Sequence, residues 1–458
     1  MNRIKVLLIP GRLKFKDFET IVKQSNNNVK IEVLINHKKQ LSEWGKYKNS
    51  NRIWYIIEPE FHKRNYENTP YHMHYDEILN KLLSDPRSFY LMERIYSVGG
   101  LKNVFNHTVI FERLIWNSLA LLHQINPNII VLPTTPHSHT WYFVKVAESI
   151  GIDVYITPTC PLRWKSWVVK GIDEQIPQEI KNKFQDGENN YRNEVIEYID
   201  KIKSSYDNAV PEYEKERINS YRGNINSFRG ELSNIINSNS IKRMFIKTRS
   251  AFYKRPFLNQ YNKIAKYYKS PENYVVLFLH YQPERTTLPE GGIYVQQWLA
   301  IRAISAALPE GWYLVVKEHP SMFTNNFSKK VRDHLFYESI NSLANVLLSP
   351  LDITSFELID KSKAVATVTG TVGIEALIRN KPVIVFGAAQ YRDFIGVFYI
   401  ATSHQVKDVI NKIKDADYEI KDEQIMNYLN WVDKNSFNKD KQNISIKALL
   451  YSIQLGVK

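Results

Sequence analysis

Apolar residues in this chain recur in two rhythms. Short runs rich in β-branched and aromatic residues alternate with longer stretches whose apolar positions fall three and four apart. Arg3–Pro10, Val29–Ile35, Arg52–Ile57, Asn128–Leu132 and Asp153–Ile156 read as strands. His107–Gln124 reads as a helix, with Phe111, Leu114, Ile115, Leu119 and Leu122 on one face. Thr140–Ile150 reads as a second helix, closed by Gly151. Strand–helix alternation predicts a parallel sheet with helices on both faces. The rhythm resumes at Tyr274. Tyr274–Leu279, Tyr313–Lys317, Val346–Ser349, Ala364–Thr369 and Pro382–Phe386 are predicted strands, with helices at Val295–Leu308 and Val372–Arg379. The tail from Tyr418 to Lys458 reads as mostly helical, able to cross back onto the first domain.

Residues 178–270 break the pattern. They are polar, with helical character at Glu194–Ser205 and Glu212–Ile235. Near their end, Lys242, Arg243, Lys247, Arg249, Lys254 and Arg255 interleave with Met244, Phe245, Ile246, Phe252 and Tyr253. Such a segment suits an anionic membrane surface. A helical linker with a solvated charged face fits the same pattern. The predicted organisation is therefore residues 1–177, a basic helical linker or insertion at 178–270, a second α/β domain at 271–415, and C-terminal helices at 416–458.

Composition adds bounds. A chain of 458 residues is too long for one ordinary core, so two domains are expected. Cys160 is the sole cysteine, which excludes an internal disulfide and a cysteine zinc cluster and suits a reducing compartment. The apolar run Val6–Ile9 is stopped by Gly11 and Arg12, so it reads as a buried strand and not as a signal peptide. No apolar run approaches the roughly 20 residues that span a bilayer. A cytoplasmic protein, or one peripheral at the inner face of the cytoplasmic membrane, is expected. The net charge of +14 points to anionic partners or to a Lys- and Asn-rich proteome. No zinc finger, helix-turn-helix or RNA-recognition signature supports nucleic acid, which leaves anionic lipid and sugar phosphates.

Four segments in the second half follow predicted strands, where a doubly wound sheet holds its ligands. His280-Tyr281-Gln282-Pro283-Glu284 gathers polar groups that are costly to bury without partners, and Gly291-Gly292 follows it. Lys317-Glu318-His319-Pro320 offers a cation and an imidazole suited to a phosphate. Ser349-Pro350-Leu351-Asp352 could position a base or ribose, with Asp352 or Thr354 as a plain helix cap the other reading. Thr369-Gly370-Thr371-Val372-Gly373-Ile374-Glu375-Ala376 joins a strand to a helix. Its backbone N–H groups and hydroxyls suit an anion, Gly370 leaves room for a phosphate, and Glu375 could hold ribose hydroxyls. Neither the GxGxxG fingerprint nor a Walker loop is present in it, which argues against NAD and ATP chemistry.

These motifs, with Lys381-Pro382-Val383-Ile384-Val385 behind them, resemble the donor domain of bacterial capsule and O-antigen glycosyltransferases over roughly Tyr274–Gly387. The resemblance is nearest to the Kdo transferases, with their Gln-Pro-Glu and His-Pro motifs, and more distant to polysialyltransferases and polyglycerolphosphate polymerases. It implies a GT-B-like α/β fold: two Rossmann-type domains facing a central cleft, the first for the acceptor and the second for the nucleotide-sugar. It implies a CMP-linked donor, CMP-Kdo or another ulosonic acid, as substrate, and a saccharide or lipid-linked saccharide as acceptor. It places His319 at the CMP phosphate and Glu284 near the transferred sugar. Gln282, Lys317, Pro320, Ser349, Asp352, Thr369, Gly370, Thr371 and Glu375 would complete the donor site.

The first half offers catalytic candidates only by position. Glu58 follows the strand at Arg52–Ile57, and His137 and His139 follow Asn128–Leu132. Each is a carboxylate or imidazole that could meet an acceptor hydroxyl. The Asp415-Ala416-Asp417 pair lies in a charged stretch and reads as a solvated turn, so no metal and no cofactor are expected. Three rivals remain: a polymerase using a CDP-glycerol-type donor, a non-catalytic partner in capsule assembly or export, and a nucleotide-sugar epimerase. The basic segment has no obvious use in the last.

Overall fold

The computed structural model describes residues 4–10, 29–36, 53–56, 61, 74–91, 107–133, 138–177, 191–206, 257–282, 284, 286–324, 332 and 334–438. The chain divides into two units, Met1–Phe184 with Trp431–Lys458, and Gln185–Asn430.

The first unit holds β1 (Ile4–Leu8), β2 (Val29–Ile35), β3 (Ile53–Tyr55), α1 (Tyr75–Leu83), α2 (His107–Ile125), β4 (Ile129–Leu132), α3 (Ser138–Ser149), β5 (Asp153–Ile156), β6 (Lys165–Ser166) and β7 (Val169–Lys170). All five apolar residues expected on one face of α2 are at most 5% exposed, so its helical spacing matches a buried stripe. Asn126, at φ 47°, ends α2 in the left-handed region, which Asn tolerates. The sheet order is β3-β2-β1-β4-β5-β7. Strands β1 to β5 pair in parallel, and β7 closes the edge antiparallel to β5. The two-residue strands β6 and β7 carry too few positions to show a period, and the sequence did not predict them.

The second unit begins with α4 (Asn193–Lys203). It continues through β8 (Tyr274–Phe278), α5 (Gln297–Ala307), β9 (Tyr313–Lys317), α6 (His334–Asn341), β10 (Val346–Leu348), α7 (Ser355–Lys361), β11 (Ala364–Thr367), α8 (Val372–Ile378), β12 (Val383–Val385), β13 (Val397–Tyr399) and α9 (Gln405–Lys414). Its strands pair in parallel in the order β10-β9-β8-β11-β12-β13. Counted along this unit, that is the doubly wound order 3-2-1-4-5-6. Strands covered on both faces need long apolar runs, and β8 and β12 are apolar throughout, while β9 and β11 turn polar only at Lys317 and Thr367. Thr354 accepts the Glu357 N–H at 3.2 Å and so caps α7, the plain-cap alternative weighed for this loop.

The stretch expected as a separate linker is partly built into this unit. The α4 carbonyl of Ile202 accepts the Arg379 guanidinium at 2.5 Å. Helical residues 257–265 bring fully buried Tyr261 against Phe323 and Tyr337, and its hydroxyl donates to the Ser349 carbonyl at 2.5 Å. The last elements are α10 (Asp422–Lys434) and β14 (Phe437–Asn438). Strand β14 pairs antiparallel with β6, and buried Lys165 forms an ion pair with buried Asp433, both within the first unit. Glu212–Ile235 and the basic segment Lys242–Arg255 lie outside the described residues.

Candidate functional site

Strand order reverses between β8 and β11 in the second unit, and a doubly wound sheet opens a ligand crevice at the carboxyl ends of that pair. His280 leaves the end of β8, and Thr369 leaves the end of β11. His280 is only 8% exposed, and its ring bridges the two ends. The Thr369 N–H donates to His280 Nε2 at 3.2 Å, and the Thr367 hydroxyl lies 3.2 Å from the same nitrogen. A backbone N–H can only donate, so Nε2 accepts and the proton of the neutral ring sits on Nδ1. That Nδ1–H donates to Glu284 Oε2 at 2.8 Å. Burial pushes the Glu284 carboxyl upward, but the His280 hydrogen bond, the nearby His280 and His319 rings and a hydrogen bond from Thr286 outweigh it and hold the carboxyl below its usual range.

The loop after β9 is organised by Glu318, which is fully buried. Its Oε1 accepts the His319 N–H at 2.6 Å, and its Oε2 accepts the Tyr337 hydroxyl at 2.7 Å and pairs with the Arg332 guanidinium. Arg332 also donates to the His280 carbonyl at 2.8 Å. One buried ion pair therefore ties together the two loops that carry Glu284 and His319. Burial first, and then the Glu318 charge, drive the Tyr337 hydroxyl well above its ordinary value against the opposing Arg332 charge. The His319 ring is oriented by its neighbours. Its Nδ1 accepts the Ser321 N–H at 3.1 Å, which puts the neutral-ring proton on Nε2. Its ring centroid lies 5.2 Å from that of Tyr281, with the two planes tilted by 57°.

Several residues expected to meet a donor are instead spent inside the protein. Lys317 is 7% exposed, and its Nζ donates to the carbonyls of Pro350 and Ile353 at 2.6 and 2.8 Å. Burial pulls its amine down to about 7, against the attraction of Asp352 and Glu357. A neutral amine still carries the hydrogens those two carbonyls take, so Lys317 staples the loop after β10 and is not a phosphate cation. Gln282 is buried and braces its own loop, donating to Thr287 at 2.7 Å. Ser349 is fully buried and donates to the Pro350 carbonyl at 3.1 Å. Thr369 is 4% exposed, and its hydroxyl donates to the Thr286 carbonyl at 2.9 Å. Gly370 was read as clearance for a phosphate. A Cβ there would sit 2.6 Å from the Thr367 hydroxyl, so the packing of Thr367 already requires glycine. Gly373 likewise makes room for Tyr391, whose hydroxyl donates to the Gly370 carbonyl.

Thr371 and Asp352 are exposed, while Pro320, Gly370 and Glu375 are half-buried. With Glu284 and His319 they remain able to meet a ligand. Glu58, His137, Lys242, Arg243, Lys247 and Arg249 lie outside the described residues. His139 is 1% exposed in the first turn of α3, which places it in the core and not toward an acceptor. Asp415 and Asp417 flank Ala416, at φ 54°, in the exposed turn after α9. Among the described residues no cluster of three or more His, Cys, Asp or Glu could hold a metal. Glu318, Arg332, Tyr337 and Tyr391 were not predicted as site residues. Glu318 stood inside a quoted motif, but its partners are distant in sequence.

The pH response of Lys317 follows from its burial. Its amine titrates near 7 folded and near 10.5 unfolded. Its stabilising contribution is therefore complete above the unfolded value and is lost as pH falls through about 7. Relative to Lys317→Met, the parent should gain stability from pH 7 to pH 9 with a slope approaching about 1.4 kcal/mol per pH unit, the value for one proton. Urea midpoints of both proteins across that range measure it. Parallel curves would mean that the buried ammonium keeps its charge.

Residues 298–431 match the family described as capsule polysaccharide biosynthesis protein. A capsule polysaccharide export protein of Escherichia coli, KpsS, is 36% identical over 103 residues, which is 22% of this chain. The match spans 26% of that relative's length. Solved structures that align include the UDP-GlcNAc 2-epimerase of Methanocaldococcus jannaschii, at 10% identity and a TM-score of 0.28, over 95% of this chain and 99% of that one. The beta Kdo 2,7 transferase of Thermosulfurimonas dismutans KpsC aligns at 11% identity and a TM-score of 0.29, over 73% and 88%. The matched residues run from within α5 into α10 and take in strands β9 to β13 of the second unit's sheet.

Proposed function

We propose that this protein is a glycosyltransferase of bacterial capsule synthesis that moves a sugar from a CMP-linked donor, Kdo or a related ulosonic acid, to a saccharide or lipid-linked saccharide acceptor. The observation that carries this reading is the pairing, at neighbouring strand ends of one doubly wound sheet, of an ionised Glu284 with a His319 ring whose proton is fixed on Nε2. His319 Nε2–H would donate to the leaving phosphate, where negative charge builds as the sugar departs. Glu284 would lie beside the sugar, where a carboxylate can act as base, nucleophile or electrostatic partner. Thr371 and the half-buried Glu375 would meet the rest of the nucleotide. No metal is assigned a role. The basic residues Lys242, Arg243, Lys247 and Arg249 suit a docking segment for an anionic membrane surface, near a lipid-linked acceptor. Among the described residues no helix is long and apolar enough to cross a membrane.

A second reading, a non-catalytic partner in capsule assembly or export, draws on the internal use of Lys317, Gln282, Ser349 and Thr369. Thermal-shift measurements with CMP, UDP, GDP and CDP separate the readings. CMP should raise the melting temperature most, since a ligand at 100 times its Kd stabilises by about 2.7 kcal/mol. Protection by CDP above CMP would favour a polymerase of the glycerol phosphate type. Protection by UDP or GDP alone would contradict the CMP donor, and no protection by any nucleotide would favour the export partner.

A further inference from the structure

We infer that His280 is a positioning residue that aims Glu284 from inside the switch-point crevice, an assignment that rests on the transferase reading of Glu284. Every polar group of His280 is held. Its N–H donates to the Gln297 side-chain oxygen at 2.7 Å, and its carbonyl accepts from the Gln297 amide at 3.1 Å and from Arg332 at 2.8 Å. The backbone is therefore fixed from α5 on one side and from the Glu318–Arg332 pair on the other. The ring cannot turn over without losing both of its hydrogen bonds. A flipped ring would turn Cε1 toward the Thr369 N–H and Cδ2 toward Glu284, leaving neither with a nitrogen partner. The alternative tautomer is excluded because it would set Nε2–H against the Thr369 N–H, donor against donor. Glu284 thus faces one N–H of fixed direction at 2.8 Å.

This divides the labour between two histidines on adjacent strand ends. His319 carries its proton on Nε2 and His280 on Nδ1, because each has its other nitrogen occupied by a backbone N–H. The buried His280 is no ligand contact. It resembles the groups that orient a reactive side chain from behind, whose removal typically costs about 10- to 100-fold.

The two amide replacements distinguish this role. The Asn amide reaches the position of Nδ1 and can still donate to Glu284, whereas the Gln amide reaches the position of Nε2 and cannot. His280→Asn should keep turnover within a few-fold of the parent, about 3-fold at most on this reasoning. His280→Gln should lose about 10- to 100-fold in kcat with little change in donor KM. With the His280 hydrogen bond gone, the burial of Glu284 is opposed less strongly, by His319 and Thr286 only, so the acid limb of the rate profile should move to higher pH in His280→Gln and stay in place in His280→Asn. Carbon NMR titration of the Glu284 carboxyl, assigned with Glu284→Gln, reads the same shift without any activity. Nitrogen and carbon shifts of the His280 ring in the parent report the tautomer even where His280→Gln does not fold. An Nε2–H ring, or equal Glu284 titration in the two variants, overturns the proposal. A parent that transfers no sugar but shows an Nδ1–H ring and the Glu284 shift overturns the transferase reading and leaves the clamp standing.

Discussion

Replacing His319 with Ala should lower single-turnover transfer by on the order of 100-fold, the loss typical of one donor aimed at developing charge. The size follows from preorganisation. The His319 backbone N–H is fixed on buried Glu318, its Nδ1 on the Ser321 N–H, and its ring rests near Tyr281. A donor held in this way pays no reorganisation as the leaving phosphate gains charge. His319→Gln keeps an N–H near the position of Nε2 and should recover part of the loss. His319→Asn, which lacks that reach, should not. Equal rates for Ala and Gln would mean that the ring contributes by packing alone.

The second large effect concerns stability. Arg332→Met should destabilise the second unit by about 3–5 kcal/mol, because it leaves the fully buried Glu318 charge without its cation. The double variant Glu318→Gln with Arg332→Met removes both charges and should recover much of that loss. Denaturation midpoints of the parent, the single variant and the double variant measure the coupling. The pair should also matter beyond stability, since Glu318 holds the His319 N–H and Arg332 holds the His280 carbonyl. A single variant as stable as the parent would show that water or rearrangement compensates the charge.

Much of the fold was legible because burial imposes a pattern on the chain. Val29–Ile35, Asp153–Ile156 and Tyr313–Lys317 read to the residue, since each is built on β-branched and aromatic residues, with Lys30, Glu32, Asp153 and Lys317 as the charged exceptions. Edge strand β13 was not legible. Val397, Phe398 and Tyr399 are only partly buried, and so short a run has no distinctive period. Helices α1, α6 and α9 were missed, although the buried residues of α1 and α9 follow helical spacing: Ile78 and Leu82 in one, Val406, Ile410 and Ile413 in the other.

The site was legible by motif and not by role. The four quoted motifs do follow strands β8, β9, β10 and β11, but residue type does not say which way a side chain turns. Lys317 looked like a phosphate cation and proved to be a staple between carbonyls. Gly370 signalled a close approach, and a glycine reveals only that something is near, here the Thr367 hydroxyl. Glu318 and Arg332 are joined by tertiary structure alone, which no local pattern records.

Single-turnover transfer from a CMP-linked ulosonic acid to a capsule saccharide acceptor tests the central claim most directly, run with the parent and with Glu284→Gln while calorimetry follows CMP binding. The parent should transfer sugar, and Glu284→Gln should bind CMP as the parent does yet lose transfer. A parent that binds CMP and never transfers, or a Glu284→Gln protein that turns over like the parent, would contradict the account.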